Sequence, residues 1–479
     1  MASTKTLNAK NLEALGSERL AALLMEVATG DAGIKRRLRL ALAGEAGPAD
    51  AAREITKRLA TIAKARSFID WHKVKPLAAD LAAQHGAIMN LVAPHDPAAA
   101  LDLLWRLAGC AEPVFARSDD GSGRLADMFR AAVDDLGPVA DAARIAPAVL
   151  AERAFEAVKD DGYGTYDGLV ETLAPALGTS GLERLRDLGL AWQAQPVAVS
   201  PQAEREVIGW GSGGPMYADQ INASQRTRAS ALLLQHVADA LGDVDAYIAQ
   251  YEPETRRVPL IAARIAERLL AAGRTADAWA AIEASESGKL GWLAPEWEQA
   301  RLKVLDALGR HDDAQDYRWE RFVATLNSGH LRAFLKKLPD FEDFDAEQRA
   351  IAHARGHADV HRALAFLVAW PALDRAAALV VERADAIDGN AYELLTPAAK
   401  VLEEKHPLAA TILRRAMIDY TLSHARASRY GHAARHLVTC GHLARRIADC
   451  GKVADHDTYL GRLREDHGRK AGFWREVVT

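Results

Sequence analysis

Three side chains near the C-terminal end of the sequence have the spacing of metal ligands. His432, His436 and Cys440 follow one another at intervals of four residues, so a helix would carry them close to one face. Two imidazoles and a thiolate are ligands that zinc accepts. The Glu of the His-Glu-x-x-His metalloprotease arrangement is missing, and no second cysteine pair completes the set. Packing against a neighbouring helix, with Cys440 as a small apolar residue, is therefore preferred over zinc binding.

The glycine-rich segment 209–214 has the formal pattern of a dinucleotide-binding loop. Its sequence, Gly-Trp-Gly-Ser-Gly-Gly, has glycine at the first, third and sixth positions. Such a loop binds a pyrophosphate only between a strand and a helix, and here Pro215 follows the last glycine. The preferred interpretation is an inert, poorly ordered connection, and a loop that exposes Trp210 and Tyr217 to a protein partner is the alternative.

The familiar catalytic motifs are missing from the sequence. It contains no Gly-x-Ser-x-Gly, no phosphate-binding P-loop and no His-Glu-x-x-His. The acidic stretch 119–123 is shorter than a calcium loop, so a turn that caps the next helix is predicted there. We therefore expect a protein that is not an enzyme and that needs no cofactor.

Tryptophan is a further candidate for binding. The chain has 10 tryptophans, although aromatic residues make up only 6% of it. Trp279 and Trp319 lie in the C-terminal half, where one or two large rings lining a groove would anchor a peptide. Rings packed between helices are the alternative, and the sequence does not separate the two.

Charge is spread unevenly along the chain. The net charge is −5, yet residues 35–75 carry +7 and residues 414–479 carry +6, which leaves −18 for the remainder. A basic segment of this kind indicates either solvated helix faces or a surface for nucleic acid or an acidic partner. The candidates for nucleic-acid contact are Arg36, Arg37, Arg39, Arg53, Lys57 and Arg58.

The elements that carry these residues are predicted to be helices. Hydrophobic residues make up 49% of the chain, and apolar positions recur at helical spacing on both sides of residues 193–225. A short phrase occurs twice, 36 residues apart, as Gly-Arg-Thr-Ala-Asp-Ala at 273–278 and Gly-Arg-His-Asp-Asp-Ala at 309–314. A period near 34 residues is typical of stacked helix–turn–helix units, in which glycine ends one helix and a small buried alanine admits the next.

The predicted architecture is an all-α solenoid of antiparallel helix pairs, a tetratricopeptide-like superhelix. Residues 1–192 form an N-terminal helical domain with the basic segment 35–75, residues 193–225 a Gly/Pro/Ser-rich loop or linker, and residues 226–479 a tetratricopeptide-like repeat domain. No apolar run is long enough to span a bilayer, so no membrane association is expected. Three cysteines are too few for a disulfide framework, which favours the cytoplasm.

Two resemblances follow from particular segments. The two Gly-Arg-x-x-Asp-Ala phrases, with His-Pro-Leu-Ala-Ala-Thr at 406–411 and Ser-Arg-Tyr-Gly-His-Ala-Ala at 428–434, are similar to tetratricopeptide-type repeats. The phrase Lys-Ala-Arg-Ser-Phe-Ile-Asp-Trp at 64–71 resembles members of a bacterial, mostly proteobacterial, family of unknown function. Some of those relatives carry a zinc-binding SWIM module, but its Cys-x-Cys and later Cys-x-His are missing here. The resemblance implies a fold and no activity.

The sequence therefore predicts a non-enzymatic helical-repeat protein that binds a protein or peptide partner, since a solenoid exposes a long surface suited to that task. Self-association through the basic and acidic regions is compatible with this prediction. The alternative is a nucleic-acid-binding or regulatory protein that uses the basic N-terminal helices.

Overall fold

The chain is almost entirely helical. Its structure, a computed structural model, describes residues 7–196, 206–211, 214–285 and 295–478. Within those ranges, helices and turns are interrupted by one pair of short antiparallel strands. The prediction of an all-α protein is confirmed. The contacts between residues divide the chain into two compact units, residues 1–300 and residues 301–479.

The first unit contains most of the helices. Its elements in chain order are α1 (Ala9–Glu13), α2 (Ser17–Ala28), α3 (Ala32–Ala46), α4 (Pro48–Lys64), α5 (Trp71–Ala87), a π-helical turn (Ile88–Val92), α6 (Pro97–Ala108), α7 (Ala111–Phe115), α8 (Arg124–Asp134), α9 (Leu136–Ala143), α10 (Pro147–Lys159), α11 (Leu169–Ala194), β1 (Val207–Gly211), β2 (Gly214–Tyr217), α12 (Ala218–Leu241), α13 (Val244–Ala249), a 3₁₀ turn (Thr255–Arg257), α14 (Pro259–Ala271), α15 (Thr275–Ala284) and α16 (Pro295–Ala307), which continues into the second unit.

The second unit continues with further helices. Its elements are α17 (His311–Thr325), α18 (Ser328–Leu335), α19 (Glu342–Gly356), α20 (Val360–Ala369), α21 (Leu373–Glu382), a 3₁₀ turn (Ala384–Ala386), α22 (Tyr392–Leu402), α23 (Pro407–Ser423), a 3₁₀ turn (Ala427–Arg429), α24 (Tyr430–Ala444), α25 (His456–His467) and α26 (Ala471–Val478).

Local sequence signals account for many helix boundaries. Pro48 and Pro97 open α4 and α6, because proline lacks the N–H that a first-turn residue leaves unbonded. The side chain of Asp120 accepts hydrogen bonds from the backbone N–H of Ser122 and Leu125 at the start of α8. The predicted capping turn at 119–123 is therefore confirmed.

Each unit has its own core. In the first, the inward face of α4 presents Ile55, Leu59 and Ile62, as their helical spacing predicts, to a continuous cluster that reaches α12. In the second, helices α17 to α23 share an apolar cluster, and a smaller one joins α23, α24, α25 and α26.

The two Gly-Arg phrases adopt the same local structure. Gly273 and Gly309 have φ values of +74° and +71°, a conformation that favours glycine. In each phrase the glycine N–H bonds to a carbonyl three residues back, and the following arginine N–H bonds to one five residues back. This is the Schellman ending of a helix. The alanines at 278 and 314 are fully buried, as expected for the position where the next helix approaches.

The predicted loop at 193–225 is only partly a loop. The structure describes strands β1 and β2 there, and α12 begins at Ala218, inside the segment predicted to be irregular. Residues 197–205 and 212–213 of that segment lie outside the described residues. Helices α11 and α12, on either side of it, pack together within the first unit. The domain boundary at 193–225 stays a prediction.

In the part of the chain that the structure describes, no helix combines the length and the apolar character that crossing a bilayer requires.

Candidate functional site

The glycine-rich segment forms a β-hairpin. Trp210 of β1 pairs with Pro215 of β2, and Val207 pairs with Tyr217, with a bulge at Ile208 between them. The backbone N–H of Ala218 bonds to the carbonyl of Glu206 at 3.0 Å, which joins the open end of the hairpin to the start of α12. The strands are thus held beside a long helix.

One face of the hairpin carries the two aromatic residues that the sequence singled out. Because side chains alternate along a strand, Trp210, its partner Pro215 and Tyr217 lie on the same face. On the opposite face β1 has only glycines, and the side chain of Met216 lies over them. A methyl group on Gly211 would lie 3.5 Å from the Met216 sulfur. A Cβ at Gly209 or at Gly211 would therefore be in ordinary van der Waals contact with Met216.

Trp210 is strongly exposed. Its relative exposure is 78%, although a buried tryptophan is the common case, and Tyr217 is half-buried. Val207, Ile208 and Met216 are exposed as well. An exposed ring with apolar neighbours is what a protein-binding surface contains before its partner arrives. We call Trp210, Pro215, Tyr217 and Val207 the hairpin face.

Helix α12 also lines a cleft of about 630 Å³ in the first unit. Trp192 of α11 is buried at its wall, and the polar side chains of Asn222 and Gln225 reach it from α12. Asn222 lies five residues after Tyr217, a rise of about 7 Å along the helix. The sequence did not predict this cleft, because its residues come from segments that have no common motif.

Several charged side chains around the cleft already bond to other groups of the protein. Glu171 and His236 are paired, with 3.3 Å between Oε1 and Nδ1. This hydrogen bond raises the pKa of His236 and lowers the pKa of Glu171, against the opposing effect of burial. Asp161 accepts hydrogen bonds from the backbone N–H of Tyr163, Thr165 and Tyr166. These interactions hold the charged side chains around the cleft in place beside the amide side chains of Asn222 and Gln225.

The other two tryptophans that were candidates for binding are both half-buried. Trp319 packs against Phe322 and Phe334, with ring centroids 5.6 and 5.3 Å away, and the guanidinium of Arg349 lies 4.1 Å from its ring. Trp279 lies on α15 in the first unit. The structure thus places Trp210 and Trp319 in different units, and of the three candidate tryptophans only Trp210 is strongly exposed.

Four of the six predicted nucleic-acid contacts line one small cleft. This cleft, of about 240 Å³, is lined by Arg36 and Arg39 of α3 and by Lys57 and Arg58 of α4. Arg36 and Arg58 both pair with Asp80, and Lys57 pairs with Glu54.

The remaining two basic candidates are exposed residues outside this lining set. Arg53 pairs with Asp50, and Arg37 lies on α3. Four of the six candidates thus have an acidic partner, but only Asp80 lies outside residues 35–75, so the segment stays strongly basic.

The possible zinc ligands are arranged for packing. His436 Nδ1 accepts a hydrogen bond of 2.8 Å from Arg414, and burial with this neighbouring charge lowers the pKa of His436 to about 4. Cys440 is fully buried, and burial raises its pKa to about 12, so it remains a thiol. His432 is exposed beside Arg435. Among the described residues, no three His, Cys, Asp or Glu side chains are grouped to hold a metal ion.

These features define the class: an all-helical protein with an exposed aromatic hairpin face beside a polar cleft. The chain belongs to a family of unknown function, DUF6880, whose model matches residues 2–476. Membership of a family of unknown function was expected from the segment at 64–71 and is confirmed. A comparison with curated proteins found no match.

Proposed function

We propose that this protein is a non-enzymatic binding protein that holds a protein or peptide partner at the hairpin face. The observation that carries the proposal is the exposure of Trp210, at 78%, on a strand whose neighbours are also apolar and exposed. Tryptophan and tyrosine are the side chains most often responsible for binding energy at protein interfaces. Covering such a ring on association removes a large apolar area from water.

The backbone of the hairpin adds a second means of recognition. Strands β1 and β2 pair with each other, and among the described residues neither strand pairs with a further strand. An extended segment of a partner can extend such a sheet through main-chain hydrogen bonds, while its side chains contact the aromatic face. The neighbouring cleft, with Asn222 and Gln225, supplies amide groups that suit the backbone of the same segment.

We further infer that two helix pairs are tetratricopeptide-like repeats within an α-solenoid: α14 and α15, joined at Gly273, and α16 and α17, joined at Gly309. Support comes from the shared Schellman endings and the buried alanine five residues after each glycine. Proteins of that architecture commonly hold a segment of another protein. A cytoplasmic location is part of this proposal, because all three cysteines are free thiols.

The test is affinity purification of the tagged full-length protein from extract of its native cells, with and without nuclease, followed by mass spectrometry. A protein recovered in stoichiometric amount is then purified and titrated against wild type and Trp210→Ala. We expect Trp210→Ala to weaken binding by about tenfold or more, the usual cost of removing a central aromatic anchor. The matched control is Trp71→Ala, because Trp71 is 67% exposed in the same unit but lies outside the hairpin.

The outcomes separate the alternatives. Equal binding by wild type and Trp210→Ala would remove the hairpin face from the interface. Recovery of a second copy of this chain alone, with dimers in light scattering that Trp210→Ala dissociates, would identify self-association as the role of the same face. Partners that disappear on nuclease treatment, with nucleic acid recovered instead, would favour the alternative function.

That alternative, nucleic-acid binding, has one observation in its favour: the shared cleft of Arg36, Arg39, Lys57 and Arg58. It ranks second because Asp80 and Glu54 already pair with three of these four side chains.

A further inference from the structure

A second cleft, in the C-terminal unit, contains buried polar atoms that have no partner. It has a volume of about 400 Å³ and lies between α23, α24 and the segment that leads into α25. Thr411 and Arg415 line it from α23, and His456 lines it from the first position of α25. It is independent of the hairpin face.

Arg415 is a buried cation without a carboxylate at ion-pair distance among the described residues. Its exposure is 8%, and its Nη1 donates a hydrogen bond of 2.6 Å to the carbonyl of Ala454. Its guanidinium lies 4.3 Å from the ring centroid of Tyr459. The buried Nε has no hydrogen-bond partner, and no carboxylate among the described residues forms an ion pair with this side chain. A buried charge is costly unless it is paired, so this arrangement requires an explanation.

The adjacent Arg414 shows the ordinary solution on the same helix. Its exposure is 7%, close to that of Arg415. However, Arg414 donates to the Glu403 carboxylate at 3.0 Å and to His436 Nδ1 at 2.8 Å. Both arginines leave a buried Nε without a hydrogen-bond partner, but of the two only Arg414 has a carboxylate at ion-pair distance.

Thr411 is a second buried polar side chain whose polar atom has no partner, and here the group is neutral. It is 2% exposed, and its Oγ1 is buried without a hydrogen-bond partner. A helical threonine commonly bonds to the carbonyl four residues back, as Thr439 of α24 does with Arg435 at 2.9 Å. Thr411 lies four residues before Arg415, so both side chains project from the same face of α23.

His456 completes the set. Its Nδ1 is buried and unpartnered, and a methyl group on Gly441 would lie 3.2 Å from its Nε2, so the imidazole packs closely on α24. Burial, with a smaller contribution from the charge of Arg415, lowers the pKa of His456. The imidazole is therefore neutral near pH 7 and able to donate one hydrogen bond.

The acidic residues near Arg415 interact with its charge through space but form their hydrogen bonds with other groups. Asp455 accepts hydrogen bonds from the backbone N–H and the hydroxyl of Thr458, which commits its carboxylate to the N-terminus of α25. Asp457 is exposed, as is Arg445 on the α24 side. The nearby Asp419 is bonded to Tyr459 and Arg462.

We propose that this cleft binds the anionic oxygen group, carboxylate or phosphate, of a small ligand, with Arg415 as the charge partner and Thr411 and His456 as hydrogen-bond donors. The bound oxygens would lie against the lining that these three side chains form and would supply the ion-pair partner that Arg415 lacks. Hydrogen bonds to an ionised group are shorter and stronger than neutral ones, which suits a guanidinium aligned by Ala454 and Tyr459.

The experiment titrates the full-length protein with inorganic phosphate and, separately, with acetate by calorimetry at constant ionic strength. The variants are Thr411→Val and Arg415→Met. Thr411→Val removes only a hydroxyl that has no partner in the protein, so it preserves the fold. We expect it to weaken the binding of the preferred anion by about tenfold, the equivalent of one hydrogen bond to a charged group. Arg415→Met abolishes saturable binding.

Two controls match these changes. Thr421→Val makes the same substitution at another buried threonine of α23, outside the cleft, and leaves binding unchanged. Arg462→Met removes the other guanidinium that lies over Tyr459, at 5.1 Å, and also leaves binding unchanged. If Arg415→Met does not fold, the comparison of anion binding by Thr411→Val and by Thr421→Val tests the proposal.

Saturable binding of one anion or of both supports the site and identifies the chemical group it prefers. The absence of saturable binding to wild type, for phosphate and for acetate, overturns the proposal. Binding that Thr411→Val and Thr421→Val weaken equally, or not at all, overturns it as well, because the anion would then lie elsewhere.

Discussion

At Gly389 the chain before α22 passes so close to α23 that a side chain has no room. A Cβ there would lie 1.9 Å from the carbonyl oxygen of Ala416. We expect Gly389→Ala to lower the free energy of unfolding by about 3 kcal/mol, the upper end of the cost of overpacking, because backbone rather than a flexible side chain must move. Urea denaturation of the purified variant measures this.

The matched control for Gly389→Ala is Gly461→Ala in α25. A Cβ at Gly461 meets nothing within 4 Å, so alanine there has unchanged or higher stability because it favours helix over glycine. Equal stabilities for the two variants would mean that the turn at Gly389 relaxes without cost.

The residue scale also explains the fate of the His-Cys triplet. The spacing of His432, His436 and Cys440 correctly predicted a common helix, since all three lie on α24. Their chemistry depends on neighbours from another helix, because Arg414 of α23 bonds to His436 and α23 buries Cys440. Sequence spacing alone does not report such burial.

At the scale of single elements, α20 offers a test of helix capping. Asp359 accepts hydrogen bonds from the backbone N–H of His361 at 2.9 Å and of Arg362 at 3.1 Å. We expect Asp359→Ala to lower the free energy of unfolding by about 1 kcal/mol at pH 7, the usual cost of losing an N-cap. Urea denaturation monitored by circular dichroism provides the measurement.

The same cap predicts a pH dependence. The backbone hydrogen bonds, that from Arg362 above all, hold the pKa of Asp359 below its ordinary value of 3.8. A depressed pKa stabilises the folded state above pH 3.8 and loses that contribution as the pH falls through the lower, folded-state value. The stability difference between wild type and Asp359→Ala should therefore narrow in acid. Asp359→Asn keeps a capping oxygen without the charge, so the stability difference between Asp359→Asn and Asp359→Ala should not narrow in acid. If the stability difference between wild type and Asp359→Ala also stays constant in acid, the assignment is contradicted.

The β-hairpin is the element that the sequence analysis did not predict. Strands β1 and β2 have five and four residues and contain three glycines and a proline, a composition that disfavours strands. Their pairing places Met216 over the glycines, and β2 also contacts α12. These interactions compensate for weak local propensity, and only the folded chain contains them.

For the whole molecule, the reactivity of the three cysteines shows how readily each unit opens. Cys110 of the first unit and Cys440 of the second are buried, and burial raises their pKa values to about 11 and about 12. Because the thiolate is the reactive form, we expect native protein at pH 8 to react rapidly with a thiol reagent only at the half-buried Cys450. Labelling followed by peptide mass spectrometry identifies the reacting sites.

The control for this experiment is Cys450→Ser, which should lose the rapid phase entirely, while denatured wild type should label at all 3 cysteines. Rapid reaction of Cys110 or Cys440 in the native protein would mean that the corresponding unit opens far more readily than its packing implies.

The sequence by itself determined the features that depend on neighbours within a few residues. Apolar spacing identified an all-helical chain, prolines marked the starts of α4 and α6, and glycines marked the ends of α14 and α16. Each of these signals acts through local backbone geometry, which is why it can be read without the fold.

The tertiary structure decided which side chains meet. Asp80 pairs with Arg36 and Arg58 from two other helices, and the neighbours Arg414 and Arg415 differ only in whether an anion reaches them. Electrostatic and packing energies depend on distance in space and on burial, and residues far apart in sequence supply both. For that reason the exposed face around Trp210 and the buried position of Arg415 without an ion-pair partner became visible only in the folded protein.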